Sequence, residues 1–155
     1  MRRNPALFWV PLLGLSALFL SLAALAPQVT LRGEDGEALQ VFRLYLGDFF
    51  ETQYVHSVQL CPVVDRYYAT RGTLWLWEER TQSTNAGLPT EAPFRGRFLR
   101  DGSWFRYVGG GRSFEEIALR VGDERWGLNT LTPPNGKTFK LFAAFPGRKI
   151  LIRAD

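Results

Sequence analysis

His56 is the only histidine in the chain and Cys61 the only cysteine, so nucleophilic or transition-metal chemistry would have to be built around one of them. Tyr54 and Ser57 flank His56, and Asp65 and Tyr67 follow shortly after. An imidazole beside a serine invites a hydrolase reading. Neighbouring residues of a strand point to opposite faces, however, which groups His56 with Tyr54 and turns it away from Ser57. A Ser–His–Asp triad would have to recruit a distant serine, and the chain has no Gly-x-Ser-x-Gly elbow. A transition metal would need carboxylates for most of its ligands, and a hard cation at Asp65 would lack calcium-loop spacing. Neither a metal nor a cofactor is expected. Two readings of the histidine remain. In one, His56 and the tyrosines hold an organic acid by hydrogen bonds. In the other, His56 is a structural residue bonded to Asp65 or Tyr67.

A second segment, Asn85-Ala86-Gly87-Leu88-Pro89, has small residues that let a backbone come close to a ligand or another chain. It also reads as a tight loop, with Gly87 at positive φ. Gly109-Gly110-Gly111 reads as a flexible loop, and a glycine run outside a strand-to-helix turn is poor evidence for phosphate binding. Cys61 cannot form an intrachain disulfide and reads as a small buried hydrophobe.

The elements that must position these residues are strands. Phe50, Thr52, Tyr54, His56, Val58 and Leu60 alternate with more polar neighbours, the pattern of a long half-buried strand. Thr73–Trp77 is β-prone, with tryptophans on one side and leucines on the other. Arg71-Gly72, Asp101-Gly102 and Pro146-Gly147 sit between such runs and predict hairpins, and Gly122-Asp123 and Pro134-Asn135-Gly136 predict further turns. Ser113-Phe114-Glu115-Glu116 is the only helix-like start, and the β-branched content of Ile117–Val121 weakens it. The fold class predicted is all-β: a small antiparallel β-sandwich or barrel of about seven to nine strands.

That domain, residues 31–155, follows an N-terminal segment, residues 1–30, of different character. Asn4 to Leu31 carries no charge, and Leu7 to Ala26 is apolar apart from Ser16 and Ser21. Twenty helical residues span ~30 Å, the thickness of a bilayer core. Arg2 and Arg3 precede the run, so the positive-inside rule predicts a cytoplasmic N-terminus and an extracytoplasmic domain. Ala24-Leu25-Ala26 fits a signal-peptidase site, but Pro27 follows directly and the run is long for a cleaved peptide. A retained single-pass anchor is therefore expected, with secretion or periplasmic release after cleavage as the alternative. The 155-residue chain carries a formal charge of +4, two charges of which lie ahead of the apolar run. The remaining basic residues are scattered among acidic ones, so no nucleic-acid partner is expected.

Tyr54-x-His56-Ser57-Val58, Pro62-Val63-x-Asp65-x-Tyr67 and Asn85-Ala86-Gly87-Leu88-Pro89 together resemble the bacterial domain-of-unknown-function family 1850. The resemblance runs from Leu44 to Pro89 and is looser beyond; Asp65 stands where glutamate is expected. Members are exported proteins often encoded beside TRAP transporters of the TAXI type, tripartite carriers that use an extracytoplasmic solute-binding protein. The resemblance thus implies a non-enzymatic, membrane-anchored accessory domain of such a transporter. Its partners would be the transporter's membrane subunits or solute-binding protein, and its binding residues Tyr54, His56, Ser57, Asp65, Tyr67, Asn85, Gly87 and Pro89. Two alternatives stay open. One is a self-contained small-ligand-binding module or enzyme with a pocket around His56. The other is an assembly factor presenting an apolar patch near Trp75, Trp77 and Trp104.

Overall fold

Turn chemistry sets the longest hairpins of the domain. A computed structural model describes residues 25–155. Strands β1 (Gln28–Gly33), β2 (Ala38–Arg43), β3 (Phe50–Val55), β4 (Pro62–Thr70) and β5 (Thr73–Thr81) occupy the first half. Then come β6 (Gly96–Asp101), β7 (Trp104–Phe114), β8 (Glu116–Arg120), β9 (Thr130–Thr132), β10 (Phe139–Lys140), the one-turn helix α1 (Leu141–Ala144) and β11 (Lys149–Ala154). Gly72 and Gly102 take left-handed φ of 77° and 59°, closing the β4–β5 and β6–β7 hairpins where Arg71-Gly72 and Asp101-Gly102 predict them.

The strands form two antiparallel sheets, ordered β2-β1-β11-β8 and β10-β9-β3-β4-β5-β7-β6. Their inner faces share one core. Val29, Leu31, Ile150 and Ile152 of the small sheet meet Phe50, Tyr67, Leu74 and Leu131 of the large one, all essentially inaccessible to solvent. The rings of Phe50 and Tyr67 stack 5.2 Å apart at the centre. Each fully buried aliphatic or aromatic side chain there contributes roughly 1.5–3 kcal/mol. The domain is thus all-β with two open antiparallel sheets. The anchor expected over Leu7–Ala26 lies almost wholly outside the described residues. Among the described residues no helix is long and apolar enough to cross a membrane.

Four local expectations are corrected. The strand from Phe50 stops at Val55 because Val55 pairs with Pro62 and the chain reverses over 56–61, where Leu60 turns to φ 49°. Val58 and Leu60, placed on an inner face by the alternation, are therefore exposed. Pro146-Gly147 does not close a hairpin: Phe139–Lys140 pairs with β9, whereas β11 slots between β1 and β8. Ser113–Glu116 starts no helix, being shared by β7 and β8. Gly109-Gly110-Gly111 is part of β7 rather than a loop. The three glycines face Trp77 in a bulge between the Leu76↔Arg112 and Glu78↔Val108 pairs, all at positive φ.

On the outer face of the large sheet, Glu51, Arg66, Glu78 and Arg106 form an ion-pair row across β3, β4, β5 and β7, with Arg80 also on Glu51. Glu78 is 2% exposed and is held by two guanidiniums. Several basic residues are thereby committed to structural carboxylates.

Candidate functional site

The inner face of the large sheet extends past the shared core, and there its residues turn polar. Register places Thr52, Asp65, Glu79 and Tyr107 directly opposite one another on β3, β4, β5 and β7, so the four share one rung and one face. Tyr54, Val63 and Thr81 flank this rung on one side, and Tyr67 on the other. The Asn85–Pro89 segment crosses above it. Leu88 is buried against Cys61, Val63 and Tyr54, and the Pro89 carbonyl accepts a 2.6 Å hydrogen bond from the Tyr107 hydroxyl.

The sequence makes this loop lie flat by unusual backbone choices. Ala86 and Gly87 both adopt left-handed φ, 58° and 88°, and the Leu88 amide donates back to the Asn85 carbonyl at 3.3 Å. Ser83 ties the loop to the β3–β4 turn by donating to Gln59 Oε1 at 2.9 Å while accepting from the Asn85 amide. Cys61 is buried, its sulfur 3.6 Å from Thr81 Oγ1, as a small hydrophobe would be.

Charge makes the rung chemically distinctive. Asp65 and Glu79 are cross-strand neighbours, an unfavourable pair of like charges. Burial foremost, and then the Glu79 charge, push the Asp65 carboxyl up to about 7, against partial relief from Tyr67 and Arg112. The Tyr67 hydroxyl donates to Asp65 Oδ2 at 3.3 Å. Burial and the nearby carboxylates raise the Tyr54 hydroxyl to about 12 and hold Tyr67 well above the usual phenol range, so both remain donors at physiological pH. Arg112 enters from β7 and gives Nη1 to Glu79 Oε2 at 3.0 Å.

Three buried atoms of this group have no hydrogen-bond partner among the described residues: Asp65 Oδ1, Arg112 Nε and Arg112 Nη2. Native proteins rarely leave such groups unpaired. Nε and Nη2 form the side-on edge of a guanidinium, the fork that matches a carboxylate with two parallel hydrogen bonds. Asp65, whose carboxyl titrates near neutrality and feels the Arg112 charge, is a proton donor on the same face.

A model of the family described as Domain of unknown function (DUF1850) matches residues 50–141, more than half of the chain. The chain belongs to the DUF1850 family. No curated protein and no solved structure matches it. In this DUF1850 domain the matched region runs from β3 through the start of α1 and includes every residue of the rung and of the loop above it.

Three of the residues singled out in the sequence, Tyr54, Asp65 and Tyr67, come together on this face, and Pro89 reaches it through its carbonyl. Asn85 and Gly87 are exposed and shape the loop. His56 and Ser57 lie in the β3–β4 turn instead. His56 Nδ1 accepts the backbone amides of Val58 at 3.3 Å and Gln59 at 3.2 Å, and Ser57 is exposed. The expected structural bond from His56 to Asp65 or Tyr67 is therefore replaced by a turn-capping role, because Asp65 pairs with Thr52, deeper in the sheet. Sequence reasoning missed Glu79, Tyr107 and Arg112. Alternation from the inward Leu74 and Leu76 points to Glu78; the bulge at Trp77 shifts the register and brings Glu79 to the inner face instead. Arg112, beyond three glycines, carried no signal.

Proposed function

We propose that this DUF1850 domain is a non-enzymatic, extracytoplasmic accessory of a TRAP-type (TAXI) solute transporter, held at the membrane by its N-terminal apolar segment. In that role it binds a carboxylate group, of a solute or of a partner's side chain, at the Arg112 fork on the same face as Asp65. The observation that carries the binding half is that the Nε–Nη2 edge of Arg112 and Asp65 Oδ1 are both buried without a partner, on the face crossed by the Asn85–Pro89 loop and within Coulombic range of each other. The transporter half is supported by the kinship with DUF1850 and by the charge-free run behind Arg2 and Arg3.

The test is to isolate tagged full-length protein from native membranes in mild detergent, beside Arg112→Lys, which keeps the charge but removes the fork. Transporter membrane subunits or solute-binding protein should accompany the wild type. Isolation with neither would end the accessory reading. A thermal-shift series with mono- and dicarboxylates should raise the melting temperature of the wild type and not of Arg112→Lys. No shift with any carboxylate would remove the fork as a ligand site. Carboxylate binding without transporter subunits would favour the second reading, a self-contained envelope binding module, which rests on the same fork.

A further inference from the structure

The outer face of the large sheet carries an aromatic surface that the binding site does not use. Tyr68 and Trp77 meet edge to face at 5.9 Å, Phe49 meets Tyr68 in the same way at 6.1 Å, and Trp75 donates its indole N–H to Thr70 Oγ1. Tyr68, Trp75 and Trp77 line a shallow depression of about 660 Å³ whose far wall is the Gly109–Gly111 bulge. Without side chains there, the indole faces stay open: Trp77 is 49% and Trp75 39% exposed. Tyr68 is also one wall of a second depression, about 300 Å³, lined by Leu25, Ala26 and Pro27 and by the loop carrying Tyr45 and Leu46. Leu46 is fully exposed and Tyr45 about half so.

The position of this surface in the chain decides what covers it. Leu25 and Ala26 are the last residues of the twenty-residue apolar run, and β1 starts at Gln28. No linker separates the run from the domain, and its end forms part of the wall of the second depression. A run that spans the bilayer must leave it there, so the surface around Leu25–Pro27 faces the lipid. Tryptophan and tyrosine are the residues that settle at the headgroup level, with an apolar ring and a polar handle. Arginines lie around this surface. Arg43 Nη1 donates to the Ala26 carbonyl at 3.2 Å, Arg71 is exposed at the β4–β5 turn, and Arg95 rims the larger depression. Asp48, the one acidic residue lining either depression, accepts the Tyr45 amide through Oδ2.

We propose that the face formed by Tyr45, Leu46, Tyr68, Trp75 and Trp77 rests on the bilayer, its rings in the headgroup and upper acyl region, and so fixes the orientation of the domain on the membrane. The proposal rests on the reading that the apolar run is retained as an anchor. In this pose the aromatic part of the outer face meets lipid, next to the Glu51–Arg66–Glu78–Arg106 ion-pair row, while the Arg112 fork lies on the opposite, inner face.

The test uses the full chain reconstituted into phosphatidylcholine vesicles with acyl chains brominated near the headgroup, in a Trp9→Phe background because Trp9 lies inside the apolar run. Flotation reports the anchor, and tryptophan quenching by the brominated lipid reports the face. The expected result is quenching that is lost when Trp75→Phe/Trp77→Phe is added and kept when Trp104→Phe/Trp126→Phe is added. The latter protein retains only the two proposed tryptophans, so it gives an answer even if the first variant fails to fold. Flotation without quenching overturns the proposal and leaves the anchor intact. Flotation with Trp75 and Trp77 shielded from aqueous iodide but unquenched by lipid also overturns it, in favour of another protein or a second copy on this face. Failure to float overturns the anchor and the proposal together.

Discussion

Asp65→Asn should stabilise the domain above neutral pH, and the effect should vanish on acidification. In the unfolded chain the Asp65 carboxyl titrates at its ordinary value of 3.8, and in the fold burial and Glu79 lift it to about 7. Between those values the unfolded chain has released the proton that the native state still holds. The unfolded state then binds fewer protons, and stability falls as pH rises. The loss is absent below about pH 4 and complete above about pH 7. At about 1.4 kcal/mol for each pH unit between the two values, it amounts to ~4 kcal/mol. Asparagine is nearly isosteric, carries no charge at any pH and can still accept from the Tyr67 hydroxyl. The difference in unfolding free energy between variant and wild type should therefore grow by up to ~4 kcal/mol from pH 4 to pH 8. That corresponds to roughly 15 °C in Tm for a domain of this size. Urea unfolding followed by tryptophan fluorescence at closely spaced pH values measures the difference directly, and titrations common to both proteins cancel. A difference that stays constant from pH 4 to pH 8 would refute the reasoning, because it would mean that Arg112 keeps Asp65 ionised throughout and that the like-charge rung is not destabilising.

Three further outcomes follow from local geometry. His56→Ala should lose about 1 kcal/mol, since two backbone amides lose their acceptor, and His56→Asn should recover most of it because an amide oxygen can cap the same turn; chemical denaturation of the three proteins decides this. Ala86→Gly should gain roughly 0.5–1 kcal/mol by relieving the left-handed backbone at φ 58°, and a lowered Tm would show that the loop is held by something else. Gly122→Ala should prevent the domain from folding stably, because the added Cβ would lie 1.8 Å from the Trp126 carbonyl oxygen beside the buried Asn129; a soluble variant with native near-UV dichroism would contradict it.

Asp101-Gly102 and Arg71-Gly72 identified their hairpins from sequence because a two-residue turn is decided by the φ its own residues can reach. Pro146-Gly147 failed by the same token. It makes a turn, but which strand β11 joins depends on β1, more than a hundred residues earlier, and no local signal carries that pairing. The apolar alternation from Phe50 onwards misled past Val55, since period alone cannot see that His56 will accept two amides and end the strand.

For the site, the division is sharper. Tyr54, Asp65 and Tyr67 were visible because alternation within one hairpin puts them on one face, and their motif also carried the kinship with DUF1850. The uncharged run behind Arg2 and Arg3 was legible on its own, since the length and polarity of a segment are properties of the chain itself. Glu79, Tyr107 and Arg112 were not legible. They reach Asp65 only through the register of three further strands and through a glycine bulge that turns Arg112 toward Glu79. Chain-local chemistry determined most of the strands, the β4–β5 and β6–β7 turns, the all-β class and the apolar N-terminal run. The electrostatic character of the site came from residues distant in sequence, brought within Coulombic range in a low-dielectric interior that only the packed sheets create.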